Sequence, residues 1–221
     1  MDTTLVLNFL KQLKMNNNRE WFQENKKWYE ASRNEVETYV AEMIVTLTAI
    51  DPSIQSPAVK DCMFRIFRDV RFGADKSPYK TNFGAFVARG GRKSSFPGYY
   101  FHYEPGGSMI AAGIYMPQPD VLKLLRNEVY FNSSLLKNIM AKPSFLKYFD
   151  GLADFDKMKK PPKDFPADFP DIELLKYRSY TVTRLVSDEE VNSENYRNLV
   201  MEMIAELQPF MAFFNTAIGN R

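Results

Sequence analysis

The most chemically distinctive part of the sequence is the run RIFRDVRFGADKSPYK, which spans residues 65–80. Three arginines, Arg65, Arg68 and Arg71, stand within a stretch of seven residues. A guanidinium group is planar and can donate two parallel hydrogen bonds to a carboxylate or a phosphate. Apolar residues are interleaved with the charged ones and anchor the run, so the charged groups cannot all extend freely into water. This composition predicts a binding site for a small anionic group, and phosphate fits its chemistry.

Seven polar side chains of this run have a predicted role in that site. The cations that would clamp the ligand are Arg65, Arg68, Arg71 and Lys76. Asp69 and Asp75 would hold the guanidinium groups in orientation, a support that any binding site requires, and Tyr79 would donate a hydrogen bond or stack. If the site is catalytic, Asp75 or His102 would transfer the proton, beside preorganised cations that stabilise negative charge.

The same run also fits a hypothesis without a ligand. Arginine and aspartate side chains this close together can pair with one another and fasten the loop to the edge of a sheet, and such networks are often purely structural. The function of a non-enzymatic domain of this kind would lie in a protein-binding surface. A ligand site requires a concave pocket with at least two arginine head groups that no protein carboxylate pairs. A structural network requires every head group to be paired and buried.

His102 is the only histidine of the chain and the second candidate for proton transfer. It lies in GYYFHYE, residues 98–104, which the pattern predicts to be a strand. Side chains two residues apart share one face of a strand, so Tyr100 and Glu104 flank His102. Imidazole titrates near neutral pH, and a His–Glu pair can act in general acid–base catalysis. The alternative is a histidine that is packed and hydrogen-bonded without a catalytic role.

The composition argues against several functional classes. Lys and Arg number 29 against 27 Asp and Glu, and a net charge of +2 does not favour nucleic acid or an anionic membrane as a partner. One cysteine and one histidine rule out a zinc site built from those residues. The chain contains no GxSxG, HExxH or Walker A motif. The sequence therefore indicates no cofactor, metal or reaction class, and leaves a small anion as the predicted partner.

Two observations bear on the compartment. The N-terminal sequence MDTTLVLNFLKQLK lacks the basic and apolar regions of a signal peptide, and no apolar run is long enough to span a membrane. The single cysteine, Cys62, cannot form an intramolecular disulfide, which suits a reducing environment. These observations predict a cytoplasmic protein without a membrane span.

The helices that position the run are predicted from hydrophobic periodicity and capping residues. A short amphipathic helix begins after Thr3 or Thr4. Asn17, with Glu20 three residues on, is predicted to cap a long helix that ends at about residue 49. Helical patterns follow at residues 119–130 and 133–149, the second broken by Pro143, and a last long helix contains Pro209.

The strands are predicted from short aromatic and β-branched segments joined by turns. Pro105, Gly106 and Gly107 form a strong turn signal between two such segments, within a meander at about residues 82–116. Further strands are predicted near 62–68 and 180–186. We therefore expect an α+β fold in a single domain, residues 1–221, in which N- and C-terminal helices pack on a curved antiparallel sheet.

The chain also resembles a known family through the residues of the charged run. The residues that carry the resemblance are Arg65, Arg68, Asp69, Arg71, Phe72, Asp75, Lys76 and Tyr79. They resemble the motif of a bacterial and fungal family known as domain of unknown function 2461. The resemblance extends nearly from end to end, through NNNREWF, GYYFHYEPGG, GIYMPQPD and LLKYRSYTV. It implies no substrate, cofactor or catalytic residue, so the site predicted above rests on the chemistry of the residues alone.

Overall fold

A computed structural model describes residues 1–71 and 75–219. Its α-helices are α1 (Thr3–Met15), α2 (Arg19–Glu24), α3 (Lys26–Ile50), α4 (Val59–Cys62), α5 (Pro119–Met140), α6 (Pro143–Leu146), α7 (Asp188–Val191) and α8 (Tyr196–Gly219). Its strands are β1 (Phe83–Val87), β2 (Gly98–Tyr103), β3 (Met109–Ile114) and β4 (Tyr180–Leu185). Short 3-10 turns occupy Pro52–Ile54, Gly91–Lys93 and Ile172–Lys176. None of the helices in the described ranges is both long and apolar enough to cross a membrane.

The four strands form one open, curved antiparallel sheet in the order β1-β2-β3-β4. The predicted α+β class is therefore confirmed, as are the meander and the strand near 180–186. The segment near 62–68 differs from the prediction, because it meets the sheet edge only through two isolated bridges, Met63 to Ala85 and Phe67 to Tyr79. Pro78 accepts a hydrogen bond from the Arg68 N–H (3.0 Å) but has no N–H to return one, which ends the ladder there.

The chain divides into two compact units. The first consists of Met1–Lys93, Tyr100–Ile110 and Leu185–Arg197, and the second of Ser94–Tyr99, Ala111–Arg184 and Asn198–Arg221. That residues 1–221 form one domain stays a prediction.

The core of the first unit is built from aromatic rings. Phe9 of α1 lies 5.8 Å from Trp28 of α3 and 6.2 Å from Phe83 of β1, between ring centroids. Tyr39 of α3 packs edge-on against Phe101 of β2 at 6.2 Å. Aromatic pairs at these separations contribute more than the area they bury. The N-terminal helices therefore hold the edge of the sheet to which the charged run is attached.

The second unit packs its helices on β4. Phe214 of α8 lies 5.0 Å from Tyr180 of β4, and Phe145 of α6 lies 6.4 Å from Phe210. The predicted break at Pro143 is confirmed, because α5 ends at Met140 and Pro143 opens α6. Gly113 of β3 has a φ of +119°, and a Cβ on it would overlap the carbonyl oxygen of Tyr180.

The close approach of β3 and β4 at Gly113 yields a stability prediction. Gly113→Ala should lower the free energy of unfolding by about 3 kcal/mol or more, because backbone strain and forced movement each cost about 1–3 kcal/mol. Gly151 is a matched control, since its φ is +121° and a Cβ there meets nothing within 4 Å. Gly151→Ala should show only the strain cost. Urea denaturation measures both, and equal losses would contradict the role given to the Tyr180 contact.

Candidate functional site

The charged run forms two legs that approach the sheet edge beside β1. The Phe64 N–H donates to the Gly84 carbonyl (2.9 Å), and the Lys80 N–H donates to the Ile66 carbonyl (2.7 Å). One leg, residues 63–68, and the other, residues 78–80, are thereby fixed to each other and to the sheet. Phe72 and two neighbours of the predicted run, Gly73 and Ala74, lie outside the described residues.

A side-chain amide of the N-terminal segment clamps the second leg. Asn17 donates from Nδ2 to the Tyr79 carbonyl (3.0 Å) and accepts from the Tyr79 N–H at Oδ1 (3.2 Å). The amide thus pairs with both main-chain groups of Tyr79, as a neighbouring strand would. The predicted capping role of Asn17 is wrong, because Asn18 caps α2 by accepting from the Trp21 N–H (2.9 Å). The predicted long helix is also divided, at Asn25, into α2 and α3.

Tyr79 is an internal anchor of the run. Its side chain is only 3% exposed, and its ring stacks on Phe22 of α2 with centroids 3.9 Å apart and planes 10° apart. Phe67 covers it at 5.5 Å. A ring enclosed in this way has no open face for a ligand. The buried ring therefore fixes the second leg of the run, and it leaves no accessible face for the stacking predicted from the sequence.

Several predicted site residues pair with one another. Arg71 donates two hydrogen bonds to Asp69, from Nε at 2.9 Å and from Nη2 at 2.7 Å, and these hold the pKa of Asp69 below its ordinary value. Lys76 donates from Nζ to the Val70 carbonyl (2.9 Å). These contacts match the structural network that the sequence left as the alternative, although Arg71 and Lys76 are exposed rather than buried.

Arg68 and Asp75 form a further ion pair. One Nη of Arg68 contacts one oxygen of Asp75, and the Ser77 N–H donates to the other oxygen (2.9 Å). Hydrogen bonds from Ser77, and then the charge of Arg68, hold the pKa of Asp75 below its ordinary value. A carboxylate that is engaged on both oxygens and kept ionised is a poor proton-transfer group. The geometry instead suits Asp75 to orienting Arg68.

The side chains of two cations of the run, Arg65 and Lys80, have no hydrogen-bond or ion-pair partner in the described part of the chain. Arg68 and Arg71 are paired with carboxylates, so one unpaired arginine remains where the sequence analysis required two for a ligand site. Arg65 is exposed, whereas Lys80 is half-buried with its Nζ 5.5 Å from the centre of the Phe64 ring. Burial, followed by the charges of Arg65 and Arg68, holds the pKa of Lys80 below its ordinary value. Arg65, Arg68 and Lys80 thus make a cluster with excess positive charge, which we call the cation cluster.

His102 belongs to a chain of polar side chains on the same unit. Its Nδ1 lies 2.9 Å from the Tyr100 hydroxyl, and its Nε2 lies 3.1 Å from Glu104. The other oxygen of Glu104 accepts from the Thr81 hydroxyl (2.9 Å). Tyr100 and His102 of β2, and Glu104 directly after it, lie on the face opposite the buried Tyr99 and Phe101, as the period of two predicts. The Phe64 ring contacts both this chain and the cation cluster, with its centroid 6.1 Å from that of Tyr100 and 5.5 Å from Lys80 Nζ.

A shallow cavity of about 600 Å³ lies elsewhere, in the second unit. Residues of α5 and α8 line it, among them Asn132, Pro209 and Phe213, with Glu128 and Lys142 as its charged residues. It contains none of the predicted site residues. Because none of the residues predicted to bind a ligand lines this cavity, we place the candidate site at the cation cluster.

The sequence did not predict the roles of two residues that matter here, Lys80 and Asn17. Lys80 was part of the charged run, but it was not named as a ligand clamp. Its place directly before β1, where the chain enters the sheet, could have indicated that it would be held and partly buried. Asn17 could not have been assigned from the sequence, because its partner Tyr79 is 62 residues away.

The clamp at Asn17 can be tested by stability. Asn17→Ala should lower the free energy of unfolding by about 2–3 kcal/mol, because it leaves two main-chain groups of Tyr79 without their partner. Asn17→Asp keeps an acceptor for the Tyr79 N–H but loses the donor, so its free energy of unfolding should lie between those of the wild-type protein and Asn17→Ala. Asn16→Ala, which removes one hydrogen bond to the Gln12 carbonyl, is the control. Denaturant unfolding gives all four values, and a loss for Asn17→Ala no larger than for Asn16→Ala would contradict the clamp.

Comparison with known proteins gives a family but no activity. Neither curated proteins nor solved structures yield a match to the chain. The family described as "Conserved hypothetical protein (DUF2461)" matches residues 5–213. That match covers both legs of the charged run, the β2–β3 hairpin and most of α8. The chain therefore belongs to the DUF2461 family.

Proposed function

We propose that the protein binds a small anionic ligand at the cation cluster, with phosphate as the group that fits best. The observation that carries the proposal is the pair of unpartnered cations, Arg65 and Lys80, in the part of the chain that the structure describes. Like charges held near one another are unfavourable unless something neutralises them. A bound anion would supply that charge.

Arg68 would complete the recognition. It uses one Nη on Asp75, and a guanidinium has five N–H donors in a fixed fork, so others remain to meet a second acceptor. Its ion pair restricts the direction of the fork, which lowers the cost of ordering it when a ligand binds. The three cations offer both planar and point charges, which suits the oxygens of a phosphate.

The remaining residues of the run would support the site without touching the ligand. The Asp69–Arg71 pair and the Lys76 contact with the Val70 carbonyl shape the loop, and Asp75 orients Arg68. The second class of function is a protein-interaction domain in which the run is only structural. The ion pairs of Arg68 with Asp75 and of Arg71 with Asp69 favour this second function. Measurements of anion binding distinguish it from a ligand site. We also propose a cytoplasmic location, because a reducing environment would keep Cys62 a thiol.

Binding of inorganic phosphate tests the proposal. Phosphate should raise the melting temperature of the wild-type protein, because a ligand that binds only the native state stabilises it. Arg65→Gln and Lys80→Gln should each raise the phosphate Kd about tenfold or more, since hydrogen bonds to charged groups contribute about 1.5–3 kcal/mol. Titration calorimetry gives the Kd values.

Arg33→Gln is the matched control for those variants. Arg33 lies on α3 of the same unit and pairs with Glu37 at 2.8 Å, so its loss changes the net charge equally. Its Kd should stay within about twofold of wild type, because exposed charges act weakly at a distance in salt. A uniform loss in all three variants would indicate non-specific attraction. No binding by the wild-type protein would leave the interaction domain as the remaining function.

The lowered pKa of Lys80 predicts how binding depends on pH. Lys80 is a base, so a lowered pKa means that it loses its charge at a lower pH than an ordinary lysine. Binding of sulfate, which stays a dianion, should weaken as pH rises through that pKa. In Lys80→Arg the guanidinium stays charged, so the weakening should disappear up to about pH 10. Calorimetry at a series of pH values makes the comparison, and an unchanged profile in Lys80→Arg would exclude Lys80 as the titrating group.

A further inference from the structure

The hydrogen bonds of the polar chain Tyr100–His102–Glu104 all run in one direction, from the phenol to the carboxylate. An ionised Glu104 carboxylate has acceptors but no donor. The imidazole Nε2, 3.1 Å away, therefore carries the hydrogen and donates the hydrogen bond. The Nδ1 atom is then the acceptor. The Asn82 amide nitrogen, 3.3 Å from Nδ1, is a donor and agrees with this tautomer. The Tyr100 hydroxyl, 2.9 Å from Nδ1, therefore donates a hydrogen bond to His102.

This arrangement has the parts of an activated nucleophile. A hydroxyl gains nucleophilicity when a general base removes its proton, and the base works best when a third group orients it. Here the hydroxyl is the phenol of Tyr100, the base is His102, and Glu104 orients the imidazole and would stabilise its charged form. Thr81 in turn holds Glu104, donating at 2.9 Å from the segment that enters β1.

The space around the Tyr100 phenol is made by a glycine. A Cβ on Gly84 of β1 would lie 2.8 Å from the Tyr100 hydroxyl oxygen. The absence of that atom lets the phenol lie over the neighbouring strand and reach Nδ1. Tyr100 remains half-buried rather than enclosed, and the Phe64 ring contacts it edge-on at 6.1 Å.

We infer that Tyr100 is the catalytic nucleophile of a phosphoryl-transfer site, with His102 as its general base and Glu104 as the positioning carboxylate. This inference rests on the proposed function, because the cation cluster, which shares the Phe64 contact with Tyr100, would hold the anionic phosphate monoester. It deepens that function by naming the reacting group and the class of substrate. Asp75 has no part in the proton transfer.

The step balances without a further reactant. As the Tyr100 oxygen forms a bond to phosphorus, the bond from phosphorus to the ester oxygen breaks. The phenol proton passes to Nδ1 of His102, which becomes an imidazolium paired with Glu104. The alkoxide departs on the side of phosphorus opposite the attacking oxygen and takes a proton from solvent, and the imidazolium later returns its proton to solvent. The products are a phosphorylated Tyr100 and an alcohol. Arg65, Arg68 and Lys80 would neutralise charge on the transferred oxygens.

Other phenols of the chain lack this arrangement. Of the 12 tyrosines, Tyr103 and Tyr180 are fully buried, and burial raises the pKa of each. Burial likewise raises the pKa of Tyr196 to about 12. Tyr115 is 63% exposed and stacks on Phe155 at 5.4 Å in the second unit, with no histidine available to it since His102 is the only one. Tyr115 is therefore the internal reference for an ordinary accessible phenol.

Covalent labelling tests the nucleophile without knowledge of the natural substrate. Sulfonyl fluorides react with activated phenols, forming a bond from oxygen to a tetrahedral sulfur with loss of fluoride. Full-length protein is treated at pH 7 with neutral phenylmethanesulfonyl fluoride or with anionic 4-(fluorosulfonyl)benzoate, and mass spectrometry locates the label. Burial raises the pKa of the Cys62 thiol to about 11, so it does not compete, and labelled Lys80 is distinguished by its peptide.

The expected result is labelling of Tyr100 about tenfold or more faster than Tyr115 with either reagent, since a positioned base contributes about 10²–10⁴-fold. The ratio should fall towards one in His102→Gln and to an intermediate value in Glu104→Gln. Labelling of Tyr100 no faster than Tyr115 in the wild-type protein overturns the inference, whether or not the variants fold. An undiminished ratio in folded His102→Gln overturns the role of His102.

The two reagents separate this inference from the proposed function. Preference for the anionic reagent at Tyr100, and protection by inorganic phosphate, support both. Rapid labelling by the neutral reagent, with neither a preference for the anionic reagent nor protection by phosphate, supports an activated Tyr100. The same result overturns the anionic phosphate monoester as the substrate and the cation cluster as its binding site. Phosphate binding without selective labelling of Tyr100 leaves the binding function standing and overturns the nucleophile.

Discussion

The pairing of the Asn17 amide with the main chain of Tyr79 is the contact on which the candidate site depends. It joins the segment before α2 to the leg that leads into β1, across 62 residues of sequence. The stacking of Tyr79 on Phe22 reinforces the same junction from the side-chain direction. A loop with this many charges would otherwise be ordered only by exposed ion pairs, which contribute little each. Two hydrogen bonds and a buried ring hold the base of the loop instead.

The charges of the loop then fall into two groups. Asp69 and Asp75 each meet an arginine, so the loop satisfies a large part of its own charge and fits the structural hypothesis to that extent. No carboxylate of the loop neutralises Arg65 or Lys80, and both residues lie where the legs meet the sheet rather than at the tip of the loop. A site that consisted of the whole run would need its arginines unpaired. A smaller site at the base needs only the cations that remain, with the pairs as its frame.

The alternation of strand β2 produces both the core and the polar chain. Tyr99, Phe101 and Tyr103 are buried on one face. Tyr100, His102 and Glu104 occupy the other, where neighbours two residues apart can hydrogen-bond directly. One short segment therefore fastens the sheet to the helices and carries a phenol, an imidazole and a carboxylate in line. The glycine at position 84 on the next strand is what leaves room for the phenol.

Local sequence determined those features that depend on near neighbours. The α+β class, the hairpin at Pro105–Gly107, the break at Pro143 and the shared face of Tyr100, His102 and Glu104 all follow from periodicity and turn chemistry within a few residues. The charged run was equally visible. The sequence did not show which of these cations are paired. Ion pairing depends on loop geometry at the scale of an ångström, and spacing along the chain does not determine that geometry.

Tertiary structure decided the rest for the same reason. Asn17 and Asn18 both have the short polar side chain that caps helices, and only the nearness of Tyr79 gives Asn17 a different partner. The segment near 62–68 has the composition of a strand, yet Pro78 opposite it removes a donor and leaves isolated bridges. Lys80 lies beside Arg65 and Arg68 because the two legs fold together. A sequence specifies which groups can interact, and long-range packing selects the pairs that do.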